Sequence, residues 1–303
     1  MLQPFKIMKN KAYIALFTSI ISVSFAAILI KLSSAEPLSI AFYRVLFTAL
    51  LILPFVIFFK KTRQEIKKLP RKTLFIMIGI GFILSAHFAF WITSLNYTSV
   101  ASSVILVTAH PILVGPVSHF FFKERLSKIN SIGIIASVVG VIILVMGNRQ
   151  PTGEIIDPLK GNILAILGGV MAGLYILGGR KIRKTVSVAS YAFVVYSISA
   201  LALLALCIIF NSELFNISVN DFQIFIAMAI IAGLLGHTLY NWSLKHVRAS
   251  LASVALLGEP LGSTVWAMLI PAIGQIPSKY TIFGGAIILI GIYMTARKTK
   301  KLV

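Results

Sequence analysis

The chain has 303 residues, of which 58% are hydrophobic and only 12% charged, and its 28 Lys and Arg outnumber 8 Asp and Glu for a net charge of +20. A soluble domain carries about 25% charged residues, so a chain this apolar lacks a polar skin, and lipid has to solvate most of its surface. The positive charge does not point to nucleic acid. The basic residues sit in short tracts between long apolar runs rather than on one soluble face.

In chain order, the apolar runs fall at residues 12–32, 38–59, 73–93, 101–122, 130–147, 160–179, 188–210, 222–243, 250–273 and 280–297. Strands of a membrane barrel are about 10 residues long with alternating polarity. These runs are about 20 residues long and apolar on every side, the length of a membrane helix. The expectation is an all-α integral membrane fold of ten transmembrane helices with short loops, so that neighbours run antiparallel. The first run has no small-x-small cleavage site after it and reads as a retained helix rather than a signal peptide. Cys207 is the single cysteine, which excludes an internal disulfide.

All but five of the 28 basic residues (Lys31, Arg44, Arg149, Lys160 and Lys279) fall on one set of alternate loops and on both termini. Basic tracts stay on the cytoplasmic side. The asymmetry predicts a multi-pass protein of the cell membrane with both termini in the cytoplasm.

The chain also repeats itself. Ser94-Leu95 recurs as Ser243-Leu244, His110-Pro111 as Glu259-Pro260, and Gly133 and Gly140 as Gly284 and Gly291. Lys31 after the first span falls against Arg180 after the sixth. This divides the chain into a five-helix half at residues 1–147, an extracytoplasmic connection at 148–160 and a second half at 161–303. Five is odd, so the halves would lie in opposite orientation. Such inverted repeats mark secondary transporters, with the solute site near the midplane.

The run from Ser94 to Ala101 (Ser-Leu-Asn-Tyr-Thr-Ser-Val-Ala), then Pro111, then Lys123-Glu124-Arg125-Leu126-Ser127, resembles the first half of EamA-type proteins of the drug/metabolite transporter superfamily. Gly258-Glu259-Pro260 and Gly274-Gln275-Ile276-Pro277-Ser278 resemble the second-half motifs, and Ile30-Lys31 and Tyr43-Arg44 fit the first two helices. Gln275 departs from the acidic residue common after the ninth span. The resemblance implies a helix bundle with a central cavity that works by alternating access, in a family that includes exporters of amino acids and other metabolites. The fold alone does not fix the solute.

Glu259 stands out among the candidate site residues because a charge inside a membrane helix costs about 2.5–3.5 kcal/mol on insertion scales. It reads either as a solute-amine contact or protonatable coupling residue, or as a neutral carboxyl bonded to a neighbouring helix. Pro260 beside it frees a carbonyl one turn earlier, and with the carboxylate that makes a plausible cation site. His110 precedes Pro111 at the equivalent place and reads as a proton carrier or as a neutral polar link. His87 and His237 are expected to line opposite ends of one pathway, or to be packing histidines. His87 shares a helical face with Trp91, and His237 with Asn241, by i,i+4 spacing. Tyr175, Tyr240, Trp242 and Trp266 are cavity or belt aromatics. His119 and His246 lie near span ends and read as interfacial. Arg44, about 9 Å into the second span at the helical rise, is expected to snorkel to the outer surface, with Glu36 or a solute carboxylate as partner. Gly169 with Gly173, and Gly258 with Gly262, have the small-xxx-small spacing of close helix packing.

No Walker glycine loop, His-Glu-x-x-His, Gly-x-Ser-x-Gly or cysteine pair is present in the sequence. The expectation is therefore no catalytic residue, no metal and no cofactor. The partners are a small solute, the lipid bilayer and protons or another coupling ion, with no nucleic acid. An intramembrane lipid-modifying enzyme, a channel and a structural membrane protein are the rival readings.

Overall fold

A computed structural model describes residues 3–98, 100–147, 157–270 and 278–297. Ser99, Arg149 and most of the 148–160 connection lie outside the described residues. So do Gly274, Gln275, Ile276 and Pro277, and Lys298, Lys300 and Lys301 of the basic tail.

Every regular element among the described residues is helical. The first apolar run forms α1 (Gln3–Ser24) and α2 (Ala26–Leu32), with a break at Phe25. Then follow α3 (Pro37–Phe58), the short charged α4 (Lys60–Lys67) and α5 (Arg71–Ser94). The fourth run is α6 (Val100–Thr108) and α7 (Pro111–Phe122), the fifth is α8 (Lys128–Gly147), and α9 (Pro158–Ile182) and α10 (Val188–Ile209) come next. The eighth run begins as α11 (Val219–Met228), widens into a π-helical stretch at Ala229–Thr238 and ends as α12 (Leu239–Ser243). The ninth is α13 (Ala249–Ala255) and α14 (Gly258–Leu269), and α15 (Lys279–Ala296) closes the order.

Among the described residues, nine segments are long and apolar enough to cross a membrane. Large apolar side chains such as Phe58, Phe75, Phe120, Phe121 and Phe283 lie on the outside, 62–80% exposed. Water would reject that surface, whereas lipid tails accept it.

The two runs read as single spans at 101–122 and 250–273 are broken, and proline chemistry gives the reason. Pro111 cannot donate to the Val107 carbonyl, so α6 stops at Thr108 and α7 restarts with Pro111 at its first position, where a missing N–H costs nothing. Pro260 sits likewise in the first turn of α14. The Leu256 carbonyl, which Pro260 was expected to free, instead accepts the Glu259 N–H at 2.9 Å.

The tightest packing brings α8 against α15, α5 against α9, α10 against both α3 and α5, and α1 against the π-helical stretch. Glycines set the first of these. A Cβ on Gly133 would stand 2.7 Å from the Gly291 carbonyl oxygen, and one on Gly140 2.8 Å from that of Gly284. The two backbones therefore touch, and only glycine fits between them. Gly169 approaches the Val107 carbonyl in the same way, and Gly258 and Gly262 face Ile20 and Ser24.

Candidate functional site

The π-helical stretch brings His237 to a small cavity between α3, α5 and α10, lined by Arg44, Val45, Thr48, Leu84, Phe88, Tyr196, Gly233 and His237. Its volume is about 20 Å³, enough for a water or two.

Arg44 was expected to snorkel outward, but it is 3% exposed. The rotation of α3 aims it into the bundle, where its guanidinium carbon lies 4.5 Å from the centroid of the Phe88 ring. Its Nη1 has no hydrogen-bond partner. The expected partner Glu36 instead accepts the Glu213 N–H at 3.2 Å. Thr48, one turn on from Arg44, donates its hydroxyl to the Arg44 carbonyl at 2.6 Å.

His87 and His237 do not lie at opposite ends. Both contact Phe88, with ring centroids 5.0 Å and 5.7 Å away. His87 Nδ1 is 2.9 Å from the Gly168 carbonyl of α9. A carbonyl only accepts, so Nδ1 carries a proton, and in the neutral ring Nε2 is the acceptor. Trp91 stacks on His87 at 5.9 Å, which bears out their shared face, and its indole Nε1 is buried without a partner.

His110 sits at the break between α6 and α7 and is 7% exposed. Its Nδ1 is 2.7 Å from the Ser253 hydroxyl on α13, so one broken span is tied to the other. Glu259 lies in the first turn of α14, the positive end of a half-helix dipole. No ion pair joins it to Arg44.

Asn241 and Tyr175 form a second polar cluster that joins the cavity through Tyr196. The Asn241 amide donates to the Tyr175 hydroxyl at 2.6 Å and to the Tyr196 hydroxyl at 3.0 Å. His237 faces the cavity while Asn241 turns to the tyrosines. Trp242 and Trp266 stand apart, paired with His246 and Phe25. His119 accepts the Leu126 N–H near the end of α7. Sequence reasoning missed Phe88, Tyr196, Thr48 and Ser253. Thr48 was the accessible one, being four residues from Arg44 on the same face.

Away from the cavity, one end of the bundle is drawn together by Glu124. Its carboxylate accepts Arg180 Nε and the Ala249 N–H, each at 2.8 Å. Among the described residues, no three His, Cys, Asp or Glu side chains gather closely enough to hold a metal ion.

The profile of the EamA-like transporter family matches this chain twice, at residues 10–146 and 159–297. The chain belongs to the EamA-like transporter family. An uncharacterized transporter of Clostridium kluyveri is 23% identical over 291 residues, covering 95% of this chain and 92% of that one. The uncharacterized transporter YdfC of Bacillus subtilis is 22% identical, covering 92% of this chain and 88% of its own length. One from Archaeoglobus fulgidus is 23% identical and covers 96% and 98%. A solved crystal structure superposes with a TM-score of 0.77 at 20% identity, covering 95% of this chain and 96% of that one. The protein is thus a multi-pass membrane protein of transporter type, with the fold of that neighbour.

Proposed function

We propose that this protein is a secondary carrier that exports a small organic solute, an amino acid or similar metabolite, by alternating access. In this reading ten spans form two inverted halves, at 1–147 and 161–303, and both termini face the cytoplasm of the cell membrane. The doubled family match supports the division. So does the crossing of α8 and α15. Gly133 and Gly284 are repeat counterparts, as are Gly140 and Gly291, and the contacts observed are Gly133 with Gly291 and Gly140 with Gly284. Exchanging the halves turns each contact into the other, as a two-fold axis would. A second pair of packings has the same property. The third span (α5) packs on the sixth (α9), and the eighth packs on the first (α1).

The observation that carries the reading is the pair of broken spans joined by His110 and Ser253. Discontinuous helices whose half-helix ends face the interior are how carriers build midplane sites. Glu259 is the coupling residue in this scheme, because it can alternate between charged and neutral forms. His110 links the two broken helices. His237 lines the cavity, and His87, held by Gly168 and covered by Trp91, contacts Phe88 of its wall. Asn241 and Tyr175 fix the side of it that Tyr196 forms. A proton or other ion gradient, or the solute gradient itself, drives the cycle.

Purified protein in liposomes, screened for uptake of labelled amino acids and other metabolites with and without an imposed pH gradient, tests the proposal. Saturable uptake supports it. Chemical turnover of a bilayer lipid with no uptake would support the rival enzyme instead.

A further inference from the structure

Arg44 poses a problem that the fold leaves open. A guanidinium does not lose its proton in a protein, so its charge persists wherever the side chain lies. Here the side chain is 3% exposed, and Nη1 meets no acceptor. Phe88 covers its face at 4.5 Å, which leaves the in-plane N–H groups as the donors to be met. The cavity beside it is lined by two hydroxyl residues, Thr48 and Tyr196, by His237 and by apolar groups, with no carboxylate among them. No ion pair joins Arg44 to Glu259. A buried charge without a hydrogen-bonded counterpart is costly, and a carrier has a use for one that its cargo completes.

We infer that Arg44, with the cavity between α3, α5, α10 and the π-helical stretch, is an anion subsite that takes one small monoanionic group. The source is the carboxylate of the carried solute or a free halide. The cavity of about 20 Å³ admits a group of that size and no whole metabolite, so the rest of a solute is accommodated only as the helices part. The inference rests on the carrier reading for its biological sense, but binding of an anion does not depend on that reading.

Two measurements separate them. In detergent, melting of the purified protein is followed while formate, acetate or chloride replaces sulfate, a dianion, at constant ionic strength. Wild type is expected to be stabilised saturably. Arg44→Gln is expected to lose about 10- to 100-fold in apparent affinity, the range for one hydrogen bond to a charged group. Arg44→Lys keeps the charge without the fork and falls between, and it serves alone if Arg44→Gln does not fold. No anion effect on wild type, or an equal one on the variants, overturns the subsite. In liposomes, counterflow is then measured with leucine, 3-methylbutylamine and 4-methylpentanoate, which share one side chain. Competition by the two carboxylates and not by the amine assigns the subsite to the solute. Counterflow that stops when chloride is replaced by sulfate assigns it to the halide. Anion stabilisation with no counterflow of any metabolite would refute the carrier and leave the subsite standing. Counterflow that is indifferent to Arg44→Gln and to all three anions would do the reverse.

Discussion

Glu124→Ala is the perturbation whose cost can be worked most directly from the structure. The Glu124 carboxylate holds Arg180 Nε at 2.8 Å and the Ala249 N–H at the start of α13 at 2.8 Å. The two side chains are 7% and 13% exposed, so water replaces little of what is lost. Hydrogen bonds to charged groups contribute about 1.5–3 kcal/mol each, and breaking a buried pair costs about 3–5 kcal/mol. Arg180 keeps the Leu244 and Lys245 carbonyls at 2.6 and 3.1 Å, which places the expected loss near the lower end, about 3 kcal/mol. A cycle of Glu124→Ala, Arg180→Met and the double variant, read by reversible unfolding in mixed detergent, should give a coupling of about 2 kcal/mol. If the contact also closes this end of the carrier, the same 3 kcal/mol shifts the open-to-closed ratio more than about 100-fold. Thr48→Cys in a Cys207→Ser background should then label faster from that side. Additive single effects, with coupling below about 0.5 kcal/mol, would refute the reasoning.

Gly140→Ala should destabilise by about 1–3 kcal/mol, because its Cβ would meet the Gly284 carbonyl and the Ile288 backbone nitrogen at 2.8 Å, and neither can step aside. Gly79→Ala meets nothing within 4 Å and should gain up to about 1 kcal/mol from helix propensity; thermal unfolding that ranks the two variants the other way contradicts the packing argument. Burial raises the Glu65 carboxyl pKa, but hydrogen bonds from Ser187 and Ser190 and the charge of Arg183 outweigh it, so the group lies below its ordinary value. A depressed carboxyl contributes stability above its unfolded pKa of about 4.3 that is lost as pH falls through the folded one. Pepsin cleavage around Lys60–Lys67 should therefore quicken below that pH in wild type relative to Glu65→Gln, which should show a flatter dependence. Reporter fusions after Lys72, Lys128, Arg183 and Lys301 should report cytoplasm and one near Gly153 the outside; a cytoplasmic signal at Gly153 would undo the inverted halves.

Much of the helical frame was legible because lipid imposes one rule, that backbone groups pair within a helix and side chains be apolar for about 20 residues. Pro111 and Pro260 marked where two helices break, although the breaks were not read from them. The break at Phe25 and the π-helical stretch carry no such residue and came only with the structure. The site was legible as a set of residue types and illegible as an arrangement. Arg44 looked like a snorkelling residue because its depth along α3 can be counted, whereas the face it presents depends on how α3 packs against α5 and α10. Equivalent positions in the repeat suggested that His87 and His237 stand apart, yet both reach Phe88. Glu124 stood within a recognised motif, but its partner Arg180 is 56 residues away on another helix.

Coupling of the carrier through Glu259 is tested most directly by Glu259→Gln. Glutamine keeps the shape and hydrogen-bonding capacity of the carboxyl but cannot take up or release a proton. Wild-type and variant protein are reconstituted at equal amounts, and transport of a solute found in the uptake screen is measured under an imposed pH gradient and as exchange between two loaded sides. Glu259→Gln is expected to fold, insert and exchange solute but to lose gradient-driven net transport. Gradient-driven transport at the wild-type rate by the variant would contradict that coupling and leave Glu259 a packing residue.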